Sequence, residues 1–130
     1  MSGRVMWNII IVGIGGFLGS VSRYLFGGLV QGMFHTYRFP FGTLGVNVIG
    51  CFLIGLLYGL GETKGVLTPE VRLLLGTGFL GGFTTFSTFG YETLALTRFG
   101  EPMSAVANIL LHILIGLGAV WAGDALSRIF

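Results

Sequence analysis

Charge is scarce in this chain. Only 12 of its 130 residues are ionised at neutral pH, 7 basic and 5 acidic, where a soluble domain of this size carries roughly thirty. So few charges cannot cover a water-facing surface. Cysteine is nearly absent as well: Cys51 stands alone, which leaves no disulfide framework and no cysteine metal site within one chain. Inside its apolar run, Cys51 reads as a small packing residue. No cluster of histidines and carboxylates has metal-ligand spacing, and no carboxylates are paired at depth in an apolar run. The net charge of +2 is small and dispersed. No basic stripe exists to bind nucleic acid.

What the chain has instead is apolar length. Hydrophobic residues make up 53% of it, and its mean hydropathy is +0.89. A membrane-spanning helix needs ~20 mostly apolar residues, since the hydrocarbon core is ~30 Å thick and each residue rises ~1.5 Å. Charge-free runs extend over Val5–Ser22 (18 residues), Phe39–Gly61 (23), Leu73–Tyr91 (19) and Met103–Gly123 (21). These predict an all-α membrane protein with four transmembrane helices. Span 1 is expected over Asn8–Leu29, span 2 over Gly42–Leu60, span 3 over Arg72–Thr97 and span 4 over Pro102–Leu126. Residues 1–130 then form a single transmembrane domain embedded in the lipid bilayer. Arg4 followed by an apolar run has the outline of a signal peptide, but no Ala-x-Ala-like site closes it, so it reads as a retained first helix. Thr68-Pro69-Glu70 has the form of a helix start with proline in the first turn.

Twenty-four glycines suggest how the helices meet. Gly15 and Gly19, Gly55 and Gly59, and Gly78 and Gly82 stand at the small-xxx-small separation that lets backbones approach. Together they predict tight helix packing and a homo-oligomer. With four spans, one membrane face collects Arg4, Lys64, Arg72 and Arg128, and the other Arg23, Arg38 and Arg98. A cytoplasmic excess of Lys and Arg normally sets orientation; four against three gives almost no instruction. The expected result is insertion both ways and an antiparallel, dual-topology homodimer with a two-fold axis in the membrane plane. C-terminal reporters found on one face only would refute it.

Several polar residues lie where apolar ones are expected. In span 3, Gly81-Gly82 followed by Thr84 and Thr85 makes a poor helix centre. One reading is a broken helix near Gly81–Thr84, whose freed carbonyls suit a cation and whose second half presents N–H groups to an anion. The other is a glycine packing face with threonine hydroxyls bonded back to their own helix. Beyond it, Phe86 and Phe89 share one face, with Ser87 and Thr88 between them. Ring edges are electropositive, so edges beside hydroxyl donors can replace part of an anion's water without trapping it; a plain core or lipid-facing stripe is the alternative. Asn47 sits at mid-depth in span 2, and Asn108 and His112 share a face of span 4, where each can also serve only as a hydrogen bond between helices. Arg23 can reach the interface, pair with Glu92, or make a vestibule electropositive.

Other chemistries fit poorly. Gly13–Gly19 has the glycine density of a phosphate loop but lies in an apolar span with no preceding strand. Ser87 and His112 lack the serine elbow, orienting acid and oxyanion donors of a hydrolase. The chain is not expected to be an enzyme.

Three motifs carry a resemblance. Gly15-Gly16-x-x-Gly19-x-x-x-Arg23-Tyr24, Gly42-Thr43-Leu44-x-Val46-Asn47-x-x-Gly50, and Gly78-Phe79-x-Gly81-Gly82-x-Thr84-Thr85-Phe86-Ser87-Thr88-Phe89 resemble the CrcB/Fluc fluoride channels, across all four spans. The resemblance implies an antiparallel dual-topology homodimer with two pores that passively export fluoride, from a plasma membrane of the bacterial inner-membrane kind. It implies that the ring edges of Phe86 and Phe89 and the side chain of Asn47 face the ion. Ser87 and Thr88 correspond to the polar track, Glu92 to its far end and Arg23 to the vestibule arginine. The carbonyls of Gly81 and Thr84 correspond to the ligands of a structural sodium ion at the dimer axis. His112 matches a histidine of some relatives, while Gly116 stands where a pore serine is common. The alternatives are a small dual-topology multidrug antiporter, which needs a carboxylate that span 1 lacks, and a membrane scaffold that transports nothing.

Overall fold

The computed structural model describes residues 2–130, and the described residues are helical with no strand. Helix α1 covers Gly3–Met33, capped by Ser2, whose hydroxyl accepts the Val5 N–H. Its 31 residues rise about 46 Å, more than the hydrocarbon core requires, so it extends past the expected Asn8–Leu29 at both ends. Gln31 closes the following loop from inside the last turn. Its amide nitrogen donates to the carbonyls of Thr36 and Phe39, and its oxygen accepts the Gly42 N–H at 2.9 Å. Helix α2 covers Phe41–Lys64 and stops at Gly65, whose φ of +60° is a left-handed value that glycine adopts without strain.

Thr68-Pro69 opens the next helix as its sequence predicts: the Thr68 hydroxyl accepts the Val71 N–H at 3.3 Å, and proline fills the first turn. This helix, α3, starts as Pro69–Arg72, winds as a π-helix over Leu73–Leu80 and ends in the turn Gly81–Phe83. A π-wound stretch of this kind is uncommon and concentrates at functional sites. Thr84 and Thr85 are extended, and α4 begins anew at Phe86, running to Arg98. Gly100, at φ +76°, turns the chain into α5, Pro102–Ser127. Among the described residues three helices, α1, α2 and α5, are long and apolar enough to cross a membrane. The third span, expected with a broken helix, is divided into two helices, and the 13 residues of α4 rise only about 20 Å.

The break falls at Thr84–Thr85, at the far end of the expected Gly81–Thr84 stretch. Gly81 and Gly82 stay helical because Gly82 serves close approach: a Cβ there would run into the Gly16 carbonyl of α1. The paired glycines do bring helices together. Gly15 meets Gly78 across α1 and α3, and Gly55 of α2 lies under the Val120 carbonyl of α5, on the helix face α2 packs most extensively. These faces are consumed within one protomer, so they no longer argue for an oligomer. Few large side chains are buried, whereas Phe17, Leu29 and Trp121 are each about 70% exposed. In water that would be untenable; acyl chains accept it, and closely packed glycine backbones take the place of a large side-chain core.

Candidate functional site

The break is held open by one side chain of a neighbouring helix. Asn47 of α2 grips both backbone polar groups of Thr85: its Oδ1 accepts the Thr85 N–H at 2.8 Å, and its Nδ2 donates to the Thr85 carbonyl at 3.0 Å. Thr85 is buried, so without Asn47 two backbone groups would lose their partners at depth. The Thr85 hydroxyl then caps α4. It accepts the Thr88 N–H at 3.2 Å, donates to the Thr88 hydroxyl at 2.9 Å, and lies 3.4 Å from that of Ser87. Threonine suits the position because an N-cap needs a short side-chain oxygen on extended backbone.

On one side of this clamp, Phe86 and Phe89 stand together with ring centroids 5.4 Å apart. Phe89 also packs on the His112 imidazole at 4.3 Å. His112 reaches Asn47 through Nε2 at 3.1 Å and the Asn108 carbonyl through Nδ1 at 2.9 Å. The fully buried Asn108 donates in turn to Thr93, whose hydroxyl donates to the Phe89 carbonyl. Asn47, Phe86, Phe89, His112 and Gly116 all line one cavity of about 650 Å³. A Cβ on Gly116 would meet only the Cys51 sulfur, at 3.7 Å.

On the other side, Arg23, Thr43, Thr85, Thr88 and Glu92 line a smaller cavity of about 300 Å³. Thr43 donates to the Glu92 carboxylate at 2.8 Å, leaving the second oxygen buried without a partner. Gln31 and Glu92 form a wall shared with a third, outer cavity of about 850 Å³, which Arg38 and Glu101 border. Those two residues pair at 3.3 Å. Thr85 joins the first cavity to the second, and Gln31 with Glu92 joins the second to the third.

The expected site residues therefore divide. Asn47, Phe86, Phe89 and His112 come together, and Ser87 and Thr88 gather around Thr85. Glu92 stands farther along with Thr43. Arg23 does not pair with Glu92 as the sequence allows; its guanidinium donates to the Thr84 carbonyl at 3.4 Å. The Gly81 carbonyl has lost its in-helix partner, since the N–H four residues on belongs to Asn47. Thr85 as the hub, and Gln31 as a shared wall, were not among the candidates. A threonine at the N-cap position before Phe86-Ser87-Thr88 was the available signal for Thr85; for Gln31 there was none.

A family model described as CrcB-like protein, Camphor Resistance (CrcB), matches residues 10–124. The chain belongs to the CrcB family. It is 45% identical over 123 residues to the fluoride-specific ion channel FluC of Methylobacillus flagellatus, covering 95% of this chain and 96% of that one. To the protein of the same name from Chlorobaculum tepidum it is 46% identical over 126 residues, covering 97% and 98%. To that of Shewanella loihica it is 48% identical over 126 residues, covering 95% and 100%. As a CrcB-family member with three long apolar helices, the chain is a multi-pass membrane protein and not an enzyme.

Proposed function

We propose that this CrcB-family chain is a fluoride-selective channel that lets cytoplasmic fluoride run passively out of the cell, protecting it from fluoride toxicity. The observation that carries the reading is the set of neutral donors and ring edges at the helix break: Asn47, Ser87 and Thr88 with Phe86 and Phe89 beside them. Fluoride is small and strongly hydrated, so only several close donor contacts offset its dehydration. A fixed positive charge among them would hold it too tightly to leave. The arginine of the region, Arg23, is already engaged with a carbonyl. The names of the relatives support fluoride as the ion.

In this reading α3 and α4 together make the third of four spans, and the chain assembles as an antiparallel dual-topology homodimer in a bacterial inner membrane, with two pores. Arg23 faces the vestibule, Glu92 ends the polar track, and His112 borders the pore. The carbonyls of Gly81 and Thr84 would hold a structural sodium ion. The Gly81 carbonyl lies outside the usual helix pairing, the Thr84 carbonyl would exchange its Arg23 contact for the ion, and neutral oxygens suit a hard cation.

Cells made fluoride-sensitive by loss of their own exporter test the proposal. Expression of this chain is expected to restore growth in fluoride, with C-terminal reporters detected on both membrane faces. Well-expressed protein that gives no rescue would favour the scaffold reading, and reporters on one face only would exclude the antiparallel dimer.

A further inference from the structure

Asn47 has two amide hydrogens, and both are committed. One is given to the Thr85 carbonyl at 3.0 Å, and the other points across 3.1 Å to His112 Nε2. The Thr85 bond belongs to the clamp that maintains the helix break, together with the Thr85 N–H bond to Oδ1 at 2.8 Å. Any hydrogen that Asn47 offers to a passing anion must therefore come from the His112 arm.

The chemistry of His112 follows from its two contacts. Nδ1 lies 2.9 Å from the Asn108 carbonyl, one turn back on α5. A carbonyl only accepts, so Nδ1 carries the proton. The neutral ring then has its lone pair on Nε2, the nitrogen that faces the Asn47 amide. Asn108 is fully buried, and the Phe89 ring packs against the imidazole, so ring orientation and tautomer are fixed together.

We propose that His112 acts on the anion indirectly, as the resting acceptor of Asn47. It takes the amide N–H between ions and releases it to fluoride as the ion arrives. This rests on the channel reading above. An amide N–H with no acceptor at membrane depth is costly, so an empty pore needs something to hold it. A carboxylate acceptor would repel the anion, and a cation would trap it. A neutral imidazole nitrogen accepts without charge and yields to a stronger acceptor. His112 is thus a positioning residue, and Asn47 is the ligand.

The test is ¹⁵N spectroscopy of the histidine ring in the full-length protein in lipid bilayers. The other histidine, His35, is exposed with φ +48°, a conformation asparagine tolerates, so His35→Asn leaves one ring to observe. The expected spectrum shows Nδ1 protonated and Nε2 bare in fluoride-free buffer, with the Nε2 signal moving on addition of sodium fluoride but not sodium chloride. Fluoride flux through the same protein in liposomes separates the two claims. Flux with Nε2 protonated, or with an Nε2 signal indifferent to fluoride, overturns the role of His112 alone. No flux and no fluoride response overturns the channel reading and this role with it. Two variants give a second readout: His112→Gln, which keeps an acceptor, should conduct within about threefold of the parent, and His112→Leu at least about tenfold slower. Equal rates in the two would refute the acceptor role.

Discussion

Replacing Asn47 by aspartate is expected to lower fluoride flux about a hundredfold. Aspartate keeps an oxygen for the Thr85 N–H but loses both donors, one of which serves the Thr85 carbonyl. A donor to an anion contributes ~1.5–3 kcal/mol, and ~2.7 kcal/mol corresponds to a hundredfold change in rate. The carboxylate adds repulsion, which is weakly screened in a confined, partly dehydrated path. The measurement is fluoride efflux from liposomes, with size-exclusion chromatography to establish that the variant assembles as the parent does. Near-normal throughput would remove Asn47 from the pore.

Phe86→Ile and Phe89→Ile are each expected to cost more than about tenfold in flux. Isoleucine keeps the apolar bulk and removes the ring's electropositive edge, and a tenfold loss corresponds to ~1.4 kcal/mol. Phe86 makes the sharper case because it is 83% exposed in the protomer. Its loss opens no cavity in the fold, so lost flux would report on the ion. Phe89 packs on both Phe86 and His112, and its replacement also loosens the imidazole that holds Asn47. Retained flux in both variants, with assembly unchanged, would refute the ring-edge assignment and fit a scaffold instead.

How far the residues alone reveal this arrangement depends on the distance over which each contact is made. Local contacts were legible. Phe86 with Phe89, Asn108 with His112, and the Thr68-Pro69 helix start each rest on spacings of three or four residues or on a single capping pattern, where helical geometry leaves little choice. The apolar runs were legible for a similar reason: they are a property of composition along the chain. Contacts between distant segments were not. Nothing in the local pattern pairs Asn47 with Thr85, 38 positions away, or sends Arg23 to a carbonyl rather than to Glu92. Glycine spacing announced close approach without saying which helices would meet. It pointed to an oligomer, where the chain uses those faces internally. The break was displaced toward Thr85 because helix ends are decided by which side chain supplies the missing hydrogen bonds. Here that side chain is Asn47, on another helix.

In the proposed channel the chemistry of ion passage rests in groups that carry no charge of their own. Amide, hydroxyl and ring edge cluster where a helix is interrupted, while Arg23 is engaged with a carbonyl and Arg38 with Glu101, and Glu92, bonded to Thr43 through one oxygen only, stands farther along. Neutral donors offset dehydration, and the absence of a strong counter-charge lets the ion leave again.

Efflux from liposomes tests this claim most directly. Vesicles loaded with fluoride and carrying the purified protein are followed with a fluoride electrode, and chloride-loaded vesicles are followed in parallel. The account predicts rapid, electrogenic fluoride release with chloride retained. Fluoride held inside by well-assembled protein, or chloride released as readily as fluoride, would contradict it.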